Sequence, residues 1–422
     1  MTARHAAATR PRAVRHARNP HRHHLLRLGA LLVVGVMSFG VTGAATAYVR
    51  LQNNILSADI DHLLGDDRPE VLATPDPDDP NSGAPVNILV LGTDSREGSE
   101  EAVADGEEGQ RSDTTIVVHV SADRQRVDLV SIPRDSLVQI PECLRSDGTS
   151  SRAQGTAMFN SAYSIGGMSG EISDAAACTQ RTVEQNTGVR IDHFVVINMA
   201  GFINMVDALG GVPICIPEEI YSPKANNLHL QAGNQVLDGG QALSYARARS
   251  GEGLDGSDTA RIGRQQRLLA ATASSVLSKN LLTDVPELVR FLNAVTRSLT
   301  VSSGLSSIPD MTGLAFSLRE VSSGSITFMT VPFAPAPSDP NRVVWTSEAD
   351  DVWAKVASDQ PLVTPVEPPT AEDPTTDTGT GTDGAGSTED VSTDAPVTDP
   401  EQVETKEPGV DPFTPDDTAV CG

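Results

Sequence analysis

The chain has 422 residues and a formal net charge of -25. This length excludes a single small domain and suits either two average domains or one large domain with appendages. Composition changes sharply along the chain, which favours the large domain with appendages. Residues 361–422 contain 15 acidic residues and one lysine, and so supply -14 of the charge. The acidic balance therefore says little about what the folded part binds.

A basic segment and an apolar segment open the chain. Residues 1–27 hold seven arginines and no acidic residue, and Leu28–Val49 is a run of 22 residues without a charge. That run is long enough to span a bilayer as a helix. Its basic flank predicts a single-pass protein of the cell membrane, with a cytoplasmic N-terminus and an extracytoplasmic body after Arg50. A cleaved signal peptide is the alternative, because Ala45–Ala47 resembles a cleavage site, but signal apolar regions usually run only about 7–15 residues.

Composition also defines the other appendages. Residues 50–85 are predicted to be a stalk that contains the linker-like TPDPDDPNSG. Residues 86–335 form the predicted body, and residues 336–360 form a C-terminal extension. Residues 361–422, rich in Thr, Pro and acidic residues, are predicted to be a disordered tail, because they cannot bury enough apolar surface to fold.

Apolar runs and helical patterns alternate through the body. VNILVLG, TTIVVHVS, RVDLVSIP, HFVVIN and VPICI predict buried strands. Helices are predicted in SGEISDAAACTQRTVEQNTG and MAGFINMVDALGG, and over residues 239–248, 258–279, 285–299 and 308–320. SITFMTVPF predicts a late strand that rejoins the sheet. The alternation favours an α/β fold with helices on both faces of the sheet.

The four cysteines are Cys143, Cys178, Cys215 and Cys421. An extracytoplasmic location permits disulfides, and four cysteines allow three pairings. Cys143 with Cys178 is preferred because it closes a loop of moderate length. Cys215 with Cys421 would then attach the end of the tail to the body. Free thiols are the alternative, and no Cys-x-x-Cys or Cys/His spacing indicates zinc.

Arginine and aspartate recur together where the first strands begin or end. In open α/β sheets, ligands bind beyond the carboxyl ends of strands. The loops GTDSRE, RSDTT and SIPRDS each carry such a set: Asp94 with Arg96, Arg111 with Asp113, and Arg134 with Asp135. The three loops therefore predict one charged site at an edge of the sheet.

A fourth segment, SYARARSGEGLDGSDTARIGRQQR, carries five arginines and no lysine. Arg247 and Arg249 are expected at the end of one helix, before a glycine-rich turn. Asp258 is expected to cap the next helix, on which it shares a face with Arg261 and Gln265. The remaining two arginines of the segment are expected to be supporting or solvated charges: Arg264 and Arg267.

These residue types together indicate a metal–pyrophosphate site. Carboxylates suit Mg²⁺, which prefers oxygen ligands and commonly keeps substrate phosphates in its coordination shell. Arginine suits phosphate because its planar guanidinium makes paired, charge-assisted hydrogen bonds. The alternative is that each Arg–Asp set is a surface ion pair, which contributes little, and that the last segment is a solvated basic helix face.

At these motifs the chain resembles the LytR–CpsA–Psr family of cell-envelope proteins. The matching segments occur in the family's order and cover roughly residues 86–335: NILVLGTDSRE, RSDTTIVVHV, VDLVSIPRDS, FNSAYSIGG, IDHFVVINMAGFINMVDALGGVPI, LDGGQALSYARAR and DTARIGRQQR. Two departures are Thr259–Ala260, where the family often has an aromatic residue or Leu followed by Gly, and Arg267, where a smaller or polar residue is usual. The strong preference for arginine over lysine resembles actinobacterial members, which are linked to arabinogalactan attachment.

The resemblance implies an α/β/α sandwich with a central mixed sheet, and a transferase that depends on Mg²⁺ (or Mn²⁺). Such enzymes take a glycopolymer from a polyprenyl-pyrophosphate carrier and attach it to peptidoglycan through a phosphodiester. By motif match, the metal carboxylates would be Asp94 and Asp113. The pyrophosphate ligands would be Arg111, Arg134, Arg247, Arg249, Arg261 and Gln265. The residues expected to be essential for catalysis are Asp94, Asp113, Arg134, Arg249, Asp258 and Arg261.

A lipid carrier also needs an apolar pocket. The residues that could line it are Phe194, Val196, Met199, Phe202, Ile203 and Val206, although ordinary core packing is the alternative for each of them. Two other functions would use the same charged site: a pyrophosphatase with water as acceptor, and a non-catalytic module that binds anionic glycolipids. No nucleic-acid partner is expected, because no helix-turn-helix pattern is found and the body is predicted to lie outside the cytoplasm.

Overall fold

The computed structural model describes residues 20–71, 83–93, 112–278, 285–363 and 411–415. Within these ranges the α-helices are α1 Pro20–Asn54, α2 Asp61–Leu64, α3 Ser161–Gly166, α4 Ile172–Thr187, α5 Met199–Ala208, α6 Gly239–Arg247, α7 Asp258–Ser278, α8 Val285–Ser298, α9 Ile308–Ser317 and α10 Ser347–Ala357. The strands are β1 Leu56–Ala58, β2 Val86–Thr93, β3 Ser112–Val120, β4 Val127–Ser131, β5 Leu137–Ile140, β6 Gln154–Met158, β7 His193–Asn198, β8 Val212–Ile216, β9 Ile220–Ser222, β10 Leu228–Leu230, β11 Gly233–Leu237, β12 Leu299–Ser302, β13 Ile326–Thr330, β14 Phe333–Ala336 and β15 Asp339–Trp345.

A mixed sheet of seven strands forms the centre of the body, in the order β1-β12-β7-β2-β3-β4-β13. Its parallel pairs are β1 with β12, β2 with β7 and β4 with β13, and its other neighbours are antiparallel. The predicted mixed sheet is therefore confirmed, and the late strand does rejoin it as β13. The strand predicted from VPICI forms as β8, but it pairs with β11 in a separate two-stranded sheet.

Helices cover both faces of this sheet, as the alternating pattern predicts. On one face, Leu89 and Leu91 of β2 belong to a buried cluster with residues of α4 and α10. On the other face, Leu268 and Ala271 of α7 pack with residues of α6 and β8. Because side chains of a strand alternate between faces, the neighbouring residues of β2 point towards the α7 side. The result is the expected α/β/α sandwich.

The local signals that begin and end the helices are visible in the sequence. Helix α4 ends at Gly188, which has a left-handed φ of 67°. Helix α5 begins after Asn198, whose side chain accepts a hydrogen bond from the Gly201 amide. Helix α6 begins with a capping box between Asp238 and Gln241. These caps satisfy backbone groups that a helix terminus leaves unpaired, and they fix where the charged loops begin.

The chain divides into two compact units, one ending at Leu51 and one beginning at Gln52. In the described part of the chain, one helical stretch, Leu26–Asn54, is long and apolar enough to cross a membrane. It contains the predicted span. A signal sequence near an N-terminus has similar length and composition, so anchoring stays a prediction.

Residues on either side of the predicted body also contribute to the folded unit. Strand β1 pairs with β12, and Leu63 and Leu64 of α2 are buried in the first core. Both elements lie within residues 50–85, which the composition predicts to be a stalk. At the other end, Trp353 of α10 is 2% exposed in the same core. Apolar side chains at one-turn spacing, which a stalk or loose extension would not require, explain why both segments pack on the sheet.

One short piece of the acidic tail region packs on the body. Phe413 is 1% exposed, and its backbone exchanges two hydrogen bonds with Phe328 of the edge strand β13. Their rings stack with centroids 5.3 Å apart. A fully disordered tail over residues 361–422 therefore does not describe this segment. The local composition is acidic and rich in Pro, but it includes an aromatic residue that packs beside an open strand edge.

Replacing Phe413 with alanine is expected to lower the free energy of unfolding by about 2 kcal/mol. A buried Phe→Ala change costs about 3–5 kcal/mol, but release of a terminal segment returns chain entropy and reduces the loss. Urea unfolding of the full chain measures the effect, and Phe316→Ala is the control because Phe316 is 67% exposed. Equal stability of the two variants would mean that Phe413 does not dock in solution.

The structure pairs Cys143 with Cys178 across 35 residues of sequence. Both side chains are buried, and the bond joins the loop after β5 to the middle of α4. Cys215 is also disulfide-bonded. Its expected partner, Cys421, lies outside the described residues.

Candidate functional site

The charged loops meet at one edge of the central sheet. Thr93 at the end of β2 pairs with Asn198 at the end of β7, and also with Ser112 at the start of β3. Asp113 follows within β3, and Arg134 follows the end of β4. Two further predicted ligands, Asp94 and Arg111, lie outside the described residues, as does Arg96, and their roles stay predictions.

Arg134 joins two of these loops by an ion pair. One of its terminal nitrogens donates to Asp113 Oδ1 at 2.6 Å, and its Nε lies 3.6 Å from Asp135 and 3.9 Å from Asp258. Burial alone would lower the pKa of Arg134, but the three carboxylates outweigh burial and raise it above its ordinary value. Arg134 is therefore held as a fixed cation at the edge of the sheet.

Asp258 is the centre of the second charged group. Its Oδ1 lies 2.7 Å from Arg249 Nη2 and 2.5 Å from Arg261 Nη2. The sequence predicted Asp258 as the helix cap, and this was wrong: Ser257 caps α7, because its Oγ accepts from the Ala260 amide at 3.0 Å. The cap one residue earlier leaves the Asp258 carboxylate available to the arginines.

Arg261 is the most buried member of the site, with 3% of its surface exposed. Burial lowers its pKa to about 10, and the positive charges of Arg134 and Arg249 add to the effect, while Asp258 opposes it. Among the described residues, neither its Nε nor the Nη2 close to Asp258 has an acceptor in hydrogen-bond geometry. Buried donors are normally paired, so this guanidinium is suited to receive an anion.

The glycine-rich segment before α7 is fixed by strand β9. The backbones of Tyr221 and Glu252 exchange two hydrogen bonds at 2.9 and 3.1 Å, and Ser222 Oγ donates to the Ser250 carbonyl at 2.7 Å. Gly251 has a φ of 150°, and a Cβ there would collide with the Tyr221 carbonyl oxygen. The glycines therefore permit two backbones to approach closely, which holds Arg249 and Asp258 in their relative positions.

The other residues of the arginine segment are arranged around the end of α6. Arg247 donates to the Met199 sulfur at 3.3 Å, and Gln265 donates to the Ala246 carbonyl at 3.2 Å. Arg264 is buried, burial lowers its pKa, and its guanidinium donates to the Ala248 carbonyl between Arg247 and Arg249. Arg264 is therefore a supporting residue.

Two adjoining hollows occupy this edge of the sheet. The polar cleft is lined by five cationic side chains and one acidic one: Arg134, Lys224, Arg247, Arg249, Arg261 and Asp113. The apolar pocket lies between β2, β7, α5 and α7. The residues that border both are Asp113, Leu243, Arg247 and Gln265. A ligand with an anionic head and an apolar tail would fit across this border.

Comparison with known proteins identifies the family. The model of the LytR_cpsA_psr family matches residues 47–357, well over half of the chain. The chain belongs to the LytR–CpsA–Psr family. The matched region includes β1 and α2 before the predicted body and α10 after it, in agreement with their packing.

Two curated relatives of this LytR–CpsA–Psr protein are named as cell wall biosynthesis proteins. The probable cell wall biosynthesis protein LcpB of Corynebacterium glutamicum is 35% identical over 257 residues, which cover 60% of this chain and 55% of LcpB. LcpA of the same organism is 30% identical, over 58% of this chain and 50% of LcpA. The chain thus spans about half the length of these two relatives. TagT of Bacillus subtilis, a polyisoprenyl-teichoic acid–peptidoglycan teichoic acid transferase, is 27% identical over 70% of this chain and 84% of TagT.

Solved structures show the same fold. A LytR-Csp2A-Psr enzyme from Actinomyces oris superposes with a TM-score of 0.51 at 22% identity, covering 72% of this chain and 96% of that one. TagT bound to LIIa-WTA gives a TM-score of 0.50 at 21% identity, covering 72% and 98%.

The structure separates the six residues predicted to line a lipid pocket. Met199 and Phe202 line the apolar pocket of this LytR–CpsA–Psr fold, and Ile203 lines the polar cleft. Phe194 and Val196 do not line the apolar pocket. They are 0% and 3% exposed, in the core on the opposite face of the sheet. The alternation of β7 explains this, because Ile197 is the neighbour that faces the pocket. Val206 is buried in the second core, in line with the alternative of ordinary core packing.

Several lining residues were missed by the sequence predictions. Lys224 and Asn226, in the loop between β9 and β10, line the polar cleft, and Leu268 and Leu269 of α7 line the apolar pocket. A lysine in a chain dominated by arginine, next to paired asparagines in SPKANN, was the available signal. This loop lies close to the arginines because β9 pairs with Glu252. No local sequence pattern predicts that pairing.

The carboxylates give limited support for a metal. In the described part of the chain, no group of three or more His, Cys, Asp or Glu side chains could hold an ion. Asp113 is the carboxylate on the border of the two hollows, and one of its oxygens is bonded to Arg134. Mg²⁺ typically uses only one or two protein carboxylates, together with water and phosphate oxygens, so Asp113 fits such a site as one ligand.

Proposed function

We propose that this protein is a membrane-anchored, extracytoplasmic enzyme that transfers a glycopolymer from a polyprenyl-pyrophosphate carrier to peptidoglycan. TagU and TagT, relatives in the same family, are named polyisoprenyl-teichoic acid–peptidoglycan teichoic acid transferases, which supports an enzyme of this general kind. Arabinogalactan is the proposed polymer, on the resemblance to actinobacterial members. The observation that carries the proposal is the buried Arg261, whose Nε lacks an acceptor among the described residues, in a cationic cleft that borders an apolar pocket.

The donor would lie across the border of the two hollows. Its pyrophosphate would be bound by Arg134, Arg249 and Arg261 in the polar cleft, with Arg247 at the border. Its polyprenyl chain would occupy the apolar pocket beside Met199 and Phe202. Planar guanidinium groups can each bind two phosphate oxygens, so several of them fix the pyrophosphate in one orientation.

The proposed reaction is a phosphoryl-group transfer. An acceptor hydroxyl of peptidoglycan attacks the phosphorus that carries the glycopolymer. The bond from that phosphorus to the bridging oxygen breaks, polyprenyl phosphate leaves, and the hydroxyl proton passes to solvent. The new link is a phosphodiester. Such reactions depend mainly on positioning and on stabilising phosphate charge, which fixed arginines supply.

A divalent metal is part of this proposal. Mg²⁺ (or Mn²⁺) would be held by Asp113 together with Asp94, and would neutralise phosphate charge when bound. Asp258 contributes differently, since it orients Arg249 and Arg261 and is a positioning residue.

The test is incubation of the reconstituted full chain with a polyprenyl-pyrophosphate-linked oligosaccharide and peptidoglycan fragments. Transfer is expected to yield a joined product by mass spectrometry, only when acceptor and Mg²⁺ are both present, and to stop on addition of EDTA. Release of phosphorylated oligosaccharide without acceptor would identify a pyrophosphatase instead. Tight donor binding without metal-dependent turnover would identify a non-catalytic glycolipid-binding module.

Replacing Gly251 with alanine is expected to lower transfer about 10-fold. The added Cβ would push the arginine-bearing loop away from Tyr221, and a displacement of about 1 Å near a reacting group can cost up to about 100-fold in rate. The initial rate in the transfer assay measures the effect. Gly155→Ala is the matched control, because a Cβ at Gly155 meets nothing within 4 Å. Equal rates for the two variants would mean that the position of this loop does not affect transfer.

A further inference from the structure

Exposed apolar side chains lie close to the point where the candidate membrane span ends. The span ends at Asn54. Leu56 in β1 is 61% exposed, Val289 in α8 is 37% exposed, and Phe316 in α9 is 67% exposed. Single exposed apolar residues are common, but β1 is an edge strand of the central sheet, and it lies with α8 and α9 near the start of the folded unit.

The end of the span is bonded directly to two of those elements. Gln52 donates to the Ser306 carbonyl at 2.8 Å and accepts from the Ile308 amide at 3.0 Å, at the start of α9. Asn54 donates to Asn293 of α8 at 3.1 Å. Helices α8 and α9 are therefore held where the folded unit begins.

The exposed apolar residues lie within a short distance of these bonds. Val289 is about one helical turn, or 6 Å, from Asn293, and Phe316 is about two turns, or 12 Å, from Ile308. Leu56 is two residues after Asn54, or at most about 7 Å. All three side chains therefore lie near the residues at which the candidate span ends.

Arginines accompany the apolar residues. Arg290 and Arg297 of α8 are exposed, and Arg297 Nε donates to Asn54 Oδ1 at 3.4 Å. Arg319, just after α9, is half exposed, pairs with Glu320 at 3.0 Å, and lies over the Phe316 ring at 4.4 Å from its centre. Apolar side chains flanked by arginine are typical of helices that lie in the interface of a membrane containing anionic lipids.

We propose that these six residues form a membrane-contact patch that seats the body on the anionic bilayer from which the chain emerges: Leu56, Val289, Phe316, Arg290, Arg297 and Arg319. The inference rests on the proposed anchoring, but it adds a second attachment, through the folded unit itself.

The patch also suggests how the lipid donor would pass from the bilayer to the apolar pocket. Helix α8 packs closely on α5 at Ser298 and Gly201, and α5 supplies Met199 and Phe202 to the apolar pocket. A carrier in the bilayer would enter the pocket beside this patch, with little of its chain exposed to water.

The test places a fluorescent label at the patch of the full chain in liposomes that contain phosphatidylglycerol. Phe316→Cys is labelled with bimane; among the described residues all cysteines are disulfide-bonded and do not compete for the label. Val236→Cys is the matched control, because Val236 is 61% exposed on β11, outside the patch. Lipids that carry a nitroxide near the top of the acyl chain quench labels that enter the interface.

Quenching at position 316 is expected to exceed quenching at position 236 at least twofold, and the excess should fall when phosphatidylglycerol is replaced by a neutral lipid. Equal quenching at the two positions would overturn the proposal. Label fluorescence at position 316 that depends on protein concentration, and not on nitroxide, would also overturn it, in favour of a second copy of the chain. Flotation of the wild-type chain with liposomes reports on anchoring separately, so loss of flotation marks failure of the anchor and not of the patch.

Discussion

Replacing Arg261 with alanine is expected to lower the rate of glycopolymer transfer at least about 100-fold, while the fold survives. Arg261 is 3% exposed, its Nη2 is paired with Asp258, and its Nε has no hydrogen-bond acceptor among the described residues. Loss of one such preorganised donor typically costs about 100- to 1000-fold in catalytic rate. Arg261→Lys should recover only part of the rate, because an ammonium keeps the charge but not the planar pair of donors.

Initial rates with reconstituted protein measure this effect, and thermal unfolding checks the fold. Arg152→Ala is the control, since Arg152 is an exposed arginine outside the cleft. Asp258→Asn should give a smaller loss than Arg261→Ala, because Asp258 orients arginines and does not itself contact phosphate in the proposed complex. A wild-type rate for Arg261→Ala would contradict the proposed site, because Arg261 would then have no role in transfer.

Replacing both Cys143 and Cys178 with alanine is expected to lower the free energy of unfolding by about 4 kcal/mol. The bond closes a loop of 35 residues, and the chain-entropy model gives about that value for the freedom regained by the unfolded chain. Denaturant unfolding of the full chain measures the loss. Such a loss is a large part of the total stability of a typical domain, about 5–15 kcal/mol.

Comparison with the single variants shows whether the loss comes from the disulfide. Cys143→Ala alone should lose about as much as the double variant, because either change removes the whole cross-link. Losses from the two single variants that add up to the loss from the double variant would mean that each side chain acts only by packing. A double variant within about 1 kcal/mol of wild type would mean that the cysteines are unpaired in solution.

The sequence predicted most of the central sheet and its helices, because those elements carry strong local signals. Apolar runs mark β2, β3 and β4, of which the first is closed by Gly and the last by Pro, and a glycine marks the end of α4. The pairing of β8 with β11 was not predictable in the same way, because an apolar run predicts a buried strand but not the sheet to which it belongs. The packing of β1, α2 and the Phe413 segment depends on a few apolar residues within polar sequence. The average composition of these segments therefore did not predict that they pack on the body.

The charges of the candidate site were predictable, but part of its geometry was not. Spacing alone placed Asp258 and Arg261 on one face of α7, and the ion pair at 2.5 Å agrees with that placement. Two residues in sequence, Ser257 and Asp258, can each cap the helix, and only the structure shows that Ser257 does so. Lys224 reaches the polar cleft through long-range pairing of β9, which lies beyond any local pattern.

The lipid pocket was the least predictable part, and the reason is strand alternation. In β7, apolar side chains on both faces look alike in sequence, so Phe194 and Val196 could not be separated from the pocket-facing Ile197. In helix α5, Met199, Phe202 and Val206 are three and four residues apart and share one face, so spacing alone could not separate the two that line the pocket from Val206, which is buried in the second core.

The central claim, transfer of a glycopolymer as a phosphodiester, is tested most directly by following one phosphorus atom. The donor is prepared with ³²P only at the phosphorus that carries the glycopolymer, and is incubated with the reconstituted full chain, Mg²⁺ and peptidoglycan fragments. The label is expected to appear in the peptidoglycan fraction, linked to both polymer and glycan, and not in polyprenyl phosphate. Label recovered only in free phosphorylated glycopolymer, at the same rate with and without peptidoglycan, would contradict it.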